Sequence, residues 1–271
     1  MTLIRDTNTD SSLNGWLLTP AMNLIGFVSD GLIVAAITHR ALLSFSMLPK
    51  LISAAKLAIP DASRDTSAAL DNLRTMVLDD ADFAKAEEQR DFSTIFSHHL
   101  VSTWAAIETT IEQTLINHLI NVGDSVKRIA DSGITLKRKQ TISSRRDAKK
   151  VIQIWNSQID IQDPIDRSLV KLSLFGLKVV LDTTDKNALS EMCAARNIFA
   201  HNAGFVDDEF LEKCPWLNYQ KGERFRLNFE LMQRYFDAAS RFAIKMVEAS
   251  TTSSFFQSQP DTVTTSPQNG L

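Results

Sequence analysis

Apolar side chains recur at helical spacing through most of this chain. Phe96, Leu100, Trp104, Ile107, Ile111, Leu115 and Leu119 follow at steps of three or four, which puts them on one stripe and predicts a long helix over residues 92–121. Val151, Ile154, Trp155 and Ile159 predict a further helical segment. Leu169, Leu172 and Phe175 give another over 163–177, opened by Asp163 as cap and Pro164 as first helical residue and closed at Gly176. Ala188, Met192, Ala195 and Phe199 mark the core face of a helix over 184–203, while Ser190, Ala194, Asn197 and His201 form a small, polar stripe beside it. Leu231, Tyr235, Ala238, Phe242 and Met246 predict the last helix, over 231–248. Residues 224–229 alternate enough for a short strand after a turn at Lys221-Gly222-Glu223.

The N-terminal part is apolar in a different way. Residues 16–38 read WLLTPAMNLIGFVSDGLIVAAIT, interrupted by Pro20, Asn23 and Asp30. An aspartate at the centre of a bilayer costs about 2.5 to 3.5 kcal/mol. The favoured reading is therefore a buried helix, or a helical pair broken near Ser29-Asp30-Gly31; a membrane-tethered effector is the alternative. Residues 40–59 continue the apolar helix through Pro49 and stop at Pro60-Asp61. Residues 62–78 place Leu70, Leu73 and Val77 on one face, and Asp79, Asp80, Asp82, Glu87 and Glu88 then read as a solvated acidic face. This pattern predicts an all-α chain with a flexible N-terminus over 1–15, an accessory helical region over 16–90, a helical bundle over 91–249 and a disordered tail over 250–271. Any β-structure is at most a short hairpin-like piece before the last helix.

Composition narrows the function classes. The 271 residues are 44% hydrophobic and 23% charged, with a net charge of -3, so contact with nucleic acid requires a local patch. Residues 137–150, KRKQTISSRRDAKK, supply one: Lys137, Arg138, Lys139, Arg145, Arg146, Lys149 and Lys150 against a single aspartate. Without interleaved aromatics this suggests sequence-independent phosphate contact and no more; the competing reading is a solvated connector. Cys193 and Cys214 make no disulfide framework, which fits a reducing cytoplasm. His98 and His99 are adjacent and His118 stands alone, so no zinc set is expected, and no cofactor is implied.

The chemistry concentrates in residues 191–207, EMCAARNIFAHNAGFVD. Gly204 suits the left-handed residue that ends a helix, which puts His201 in the last turn. Histidine exchanges protons near neutral pH. Arg196 offers a fixed positive charge and a forked donor for a phosphate oxygen, and Asn197 adds a neutral donor and acceptor one turn from His201.

The spacing from Arg196 to His201, with Asn197 and Asn202 directly after them and Gly204-Phe205-Val206-Asp207 beyond, resembles the RNxxxHNxG signature of the HEPN superfamily. The succession of helices over the bundle resembles that family too. The resemblance implies a HEPN-like bundle, a metal-independent endoribonuclease acting on RNA, and a homodimer in which the motif-bearing helices form a composite site. It also implies a possible toxin or antiviral, abortive-infection role. Glu108 takes the place of the family's glutamate on the long helix and, with Asn202, would support Arg196, Asn197 and His201. A catalytically inactive binding or scaffold protein is the alternative, with Arg196 paired to Glu108 or Asp207. An unidentified regulatory protein fits either reading, whereas a membrane partner is not favoured.

Overall fold

The computed structural model describes residues 15–59, 63–136 and 142–253, and among them the chain is helical without a β-strand. It opens with α1 (Gly15–Ala58), followed by α2 (Arg64–Met76), α3 (Leu78–Glu88), α4 (Ser93–Asn121) and α5 (Ser125–Asp131). Then come α6 (Arg145–Asn156), α7 (Pro164–Leu174), α8 (Thr183–His201), α9 (Asp208–Lys213) and α10 (Phe229–Thr251). Helix α4 is the central element: its seven-residue apolar stripe is buried throughout, and it packs on α1, α6, α7, α8 and α10. The all-α expectation holds. The tail after residue 253 lies outside the described residues.

Helix α1 takes the unbroken form of the two expected: it is continuous over 44 residues, without a break at Ser29-Asp30-Gly31, and runs through Pro20 and Pro49. Gly31 serves close packing instead: a Cβ there would sit 3.2 Å from the ring of Phe236 on α10. Pro20 removes the N–H that would bond to the carbonyl of Trp16, and that carbonyl accepts a hydrogen bond from Asn117 Nδ2 at 2.7 Å. The loss of a helical bond is thus offset by a bond between helices. Leu17, Ala21, Leu24, Val28 and Ala35 are buried, and α1 lies along α3, α4 and α10. It is long and apolar enough to cross a membrane by length and composition. Its far face is nevertheless apolar and uncovered, with Ile33 56% and Ile37 60% exposed.

Helix α2, which carries the face of Leu70 and Leu73 and is capped by Val77, buries no residue and is tied to α1 by an exposed ion pair between Lys56 and Asp71 at 2.6 Å. One N-terminal expectation is corrected: the acidic run is not wholly solvated. Glu87 follows Ala81 and Ala84 on the buried face of α3 and is 1% exposed, with Arg90 at 3.7 Å.

The expected strand over 224–229 is also absent. Phe205 and Arg224 form one isolated antiparallel bridge, flanked by bonds from Val206 N to Glu223 O and from Phe225 N to Gly204 O, both at 2.9 Å. The ladder goes no further because Leu227 N turns to Ser93 Oγ and Asn228 caps α10.

Candidate functional site

Helix α8 is fixed along its length before it reaches the motif. Asp182 caps it by accepting from Asp185 N at 2.7 Å, and the Asp185 carboxylate accepts from Arg241 Nε on α10 at 2.7 and 2.8 Å. Two turns on, the Glu191 carboxylate is 1% exposed. It accepts from Arg234, from Tyr235 Oη at 3.0 Å and from Trp216 Nε1 at 3.3 Å. A buried carboxylate with three donors is satisfied. Burial first, then the Glu191 charge and hydrogen bond, raise the Tyr235 phenol well above its ordinary value.

These ties consume part of the polar stripe read from the sequence. Ser190 donates to Asp163 Oδ2 at 2.6 Å, and Ala194 is buried. Asn197 and His201 are the polar members that remain open. Together with Ala194, Ile198, Asp207, Glu209, Phe210 and Lys213 they line a pocket of about 140 Å³ between α8 and α9.

Arg196 lies alongside and is 26% exposed. Its Nη1 donates to Asn197 Oδ1 at 3.0 Å and its Nη2 to Glu108 Oε2 on α4 at 3.3 Å. Glu108 is 51% exposed, so the pair is screened and easily exchanged for a stronger acceptor such as a phosphate oxygen. Asp207 is not the partner of Arg196; it caps α9, accepting from Phe210 N at 2.9 Å. Glu209 is taken up by Lys213 at 2.5 Å. The bond and charge of Lys213 lower the Glu209 carboxyl. Burial works against the Lys213 ammonium, yet Glu209 leaves it raised overall.

His201 is the last residue of α8 and is exposed. The turn after it is tight: Ala203 and Gly204 both have positive φ, 49° and 82°, and Gly204 N bonds to Ile198 O at 2.9 Å. Asn202 shapes this turn and does not line the pocket, since its Nδ2 donates to Phe205 O at 2.7 Å. A Cβ on Gly204 would approach the Phe199 ring to 2.9 Å.

Part of the basic segment reaches the same region. Lys137, Arg138 and Lys139 lie outside the described residues. Arg145, Arg146, Lys149 and Lys150 form the exposed first half of α6. Arg145 donates to Gln113 of α4, and Lys149 pairs with Glu112 at 3.3 Å, one turn from Glu108. Glu108, Glu112, Lys149, Arg167 and Lys171 line a groove of about 500 Å³ between α4, α6 and α7.

Lys171 was not legible as a special residue in sequence. It is 6% exposed, donates to Asn156 Oδ1 and lies 5.9 Å from the Trp155 ring centre. Burial, and secondarily the Arg167 charge, lower its ammonium to about 8. Cys193 is buried and its thiol is pushed up to about 12, mainly by burial, which suits a packing residue.

Comparison with family models, with curated proteins and with solved structures finds no match for this chain, so the likeness to the HEPN superfamily rests on its residues alone.

Proposed function

We propose that this chain is a metal-independent endoribonuclease whose site comprises Arg196, Asn197 and His201, with Glu108 holding Arg196. The observation that carries this reading is that His201 and Asn197 open onto one pocket beside a guanidinium held by Asn197 itself and by a half-exposed carboxylate. In the reaction the 2′-oxygen of RNA attacks the adjacent phosphorus as the bond to the 5′-oxygen breaks. His201 takes the 2′-hydroxyl proton or gives one to the leaving oxygen. Arg196 exchanges Glu108 for the non-bridging oxygens and stabilises the charge on the phosphorane, and Asn197 positions the phosphate. The products are a 2′,3′-cyclic phosphate and a 5′-hydroxyl. Two copies related by a two-fold axis, with motif helices facing, would supply acid and base together. Arg146, Lys149 and Lys150 would hold the flanking strand through its phosphates. A toxin or antiviral role in the cytoplasm follows from the family resemblance.

A second reading has one observation in its favour: Arg196 already has Glu108 and Asn197 as partners within the chain. On that reading the motif braces α8 against α4 in a catalytically inactive binding or scaffold protein. The test is to incubate the protein with RNA in EDTA, beside the same RNA carrying a 2′-deoxy residue at the cut site. Cleavage only of the all-ribose strand, with cyclic phosphate ends, supports the nuclease. Equal cutting of both strands overturns attack by the 2′-oxygen, and no cutting of any of several RNAs by the folded protein favours the scaffold.

A further inference from the structure

The uncovered face of α1 is the largest unexplained feature of the chain. A soluble helix normally turns one apolar stripe inward and a polar face outward, but α1 is apolar on both. The side chains of Met22, Ile33, Ile37, Met47 and Leu51 fall within about 60° of one line along the helix and stand 46% to 60% exposed. At roughly 80 Å² each, they offer on the order of 400 Å² per copy before their neighbours are counted, beyond what isolated surface residues explain.

The charges on this face specify what covers it. From residue 15 to 49 the formally charged residues are Asp30 and Arg40. Both are exposed, and neither forms an ion pair among the described residues. They lie ten residues, or about 15 Å, apart along the helix. Counting 100° per residue, the outward seam runs through Gly26, Ile33, Ile37 and Ser44, with Asp30 and Arg40 flanking it on either side.

We propose that a second copy of this chain covers the face, with the two α1 helices antiparallel about a two-fold axis level with residue 35. In that register Asp30 of each copy stands level with Arg40 of the other, Ile33 with Ile37, and Gly26 with Ser44. The charges then pair twice, the large apolar residues meet at the centre, and the small ones let the backbones approach at the ends. Gly26 has no atom within 4 Å of where a Cβ would be, so the space is open. A parallel pair would instead set Asp30 against Asp30 and Arg40 against Arg40. Two such faces bury on the order of 1,000 Å² once the rim is included, at the low end of specific interfaces. This pairing is a property of α1 and does not depend on the ribonuclease reading.

The test is the self-association of the full chain by sedimentation at graded concentrations, comparing the parent protein with Asp30→Arg, Arg40→Asp and the double variant. The expected result is a dimer in the parent, dissociation constants raised at least tenfold in each single variant, and recovery to within about threefold of the parent in the double variant. Ile33→Ser/Ile37→Ser should weaken association at least as much as either charge change in a protein that stays folded, and His201→Ala should leave the α1 pairing intact. The proposal is overturned if the single charge changes leave association unaltered, if the double variant is as weak as either single, or if the parent is monomeric. It is equally overturned if the parent is monomeric and binds phosphatidylglycerol vesicles through this face.

Discussion

Replacing Glu191 by Ala removes the acceptor shared by Arg234, Tyr235 and Trp216. The three donors do not lose equally. Arg234 is 44% exposed and recovers water, whereas Tyr235 is fully buried and its hydroxyl is left without an acceptor at a cost of about 1 to 3 kcal/mol. The Trp216 side chain is half exposed and adds little. Deleting the buried carboxylate arm leaves a cavity worth roughly 1 to 2 kcal/mol more. The total, about 2 to 5 kcal/mol, overlaps the cost of breaking a buried polar network from one side. Glu191→Gln keeps the volume and one acceptor for Tyr235, so it should lose only about 1 to 2 kcal/mol. Adding Tyr235→Phe to Glu191→Ala should restore about 1 kcal/mol, because the stranded hydroxyl is gone. Urea unfolding followed by circular dichroism measures all three. A Glu191→Ala variant within about 1 kcal/mol of the parent would refute the claim that this cluster anchors α8.

Gly204→Ala should destabilise by about 2 kcal/mol in the same assay, since it combines a positive φ with a 2.9 Å approach to Phe199. His118 is buried, stacked on Phe175 and held down to about 4, mainly by burial and then by the Arg128 charge. Its folded value lies below the unfolded 6.5, so its contribution is complete above pH 6.5 and is lost as pH falls towards 4, by up to about 3 kcal/mol. His118→Phe should flatten that part of the stability profile. For Lys171 the folded value of about 8 lies below the ordinary 10.5, so stability rises with pH between the two and the buried ammonium is a penalty below pH 8. Lys171→Met should therefore stabilise at pH 7 by on the order of 1 to 3 kcal/mol, an advantage that should shrink from pH 8 upward and be gone above pH 10.5.

Much of this architecture was legible because it obeys a single period. The stripe from Phe96 to Leu119 and the one from Leu231 to Met246 each have one apolar face, and each became a buried helix. The helix cap Asp163 was legible because capping is local. For helix α1 the sequence left a single helix and a broken pair both open, because Pro20 and Gly31 act through partners distant in sequence, Asn117 and Phe236, which spacing cannot reveal. The strand expected at 224–229 failed because a β-ladder needs a partner of matching length, and 205–206 offers only a bridge. In the site, Asn197 and His201 could be placed together from their one-turn spacing. The task of Asn202, a bond to Phe205 O that closes the turn after His201, was not legible, since nothing local distinguishes a residue that supports a pocket from one that closes its own turn. Glu191, Asp185 and Lys171 were missed because their significance lies in burial against other helices.

The measurement that bears most directly on the proposed chemistry is the RNA cleavage rate per folded molecule for the parent, His201→Ala and Asn197→Ala. His201 is exposed at the end of α8, so its replacement should leave the circular dichroism spectrum and melting temperature unchanged. The account predicts that His201→Ala then slows cleavage at least about 100-fold, the usual contribution of a general acid or base, with a smaller loss for Asn197→Ala. Cleavage by His201→Ala within about threefold of the parent, in a protein equally well folded, would contradict it.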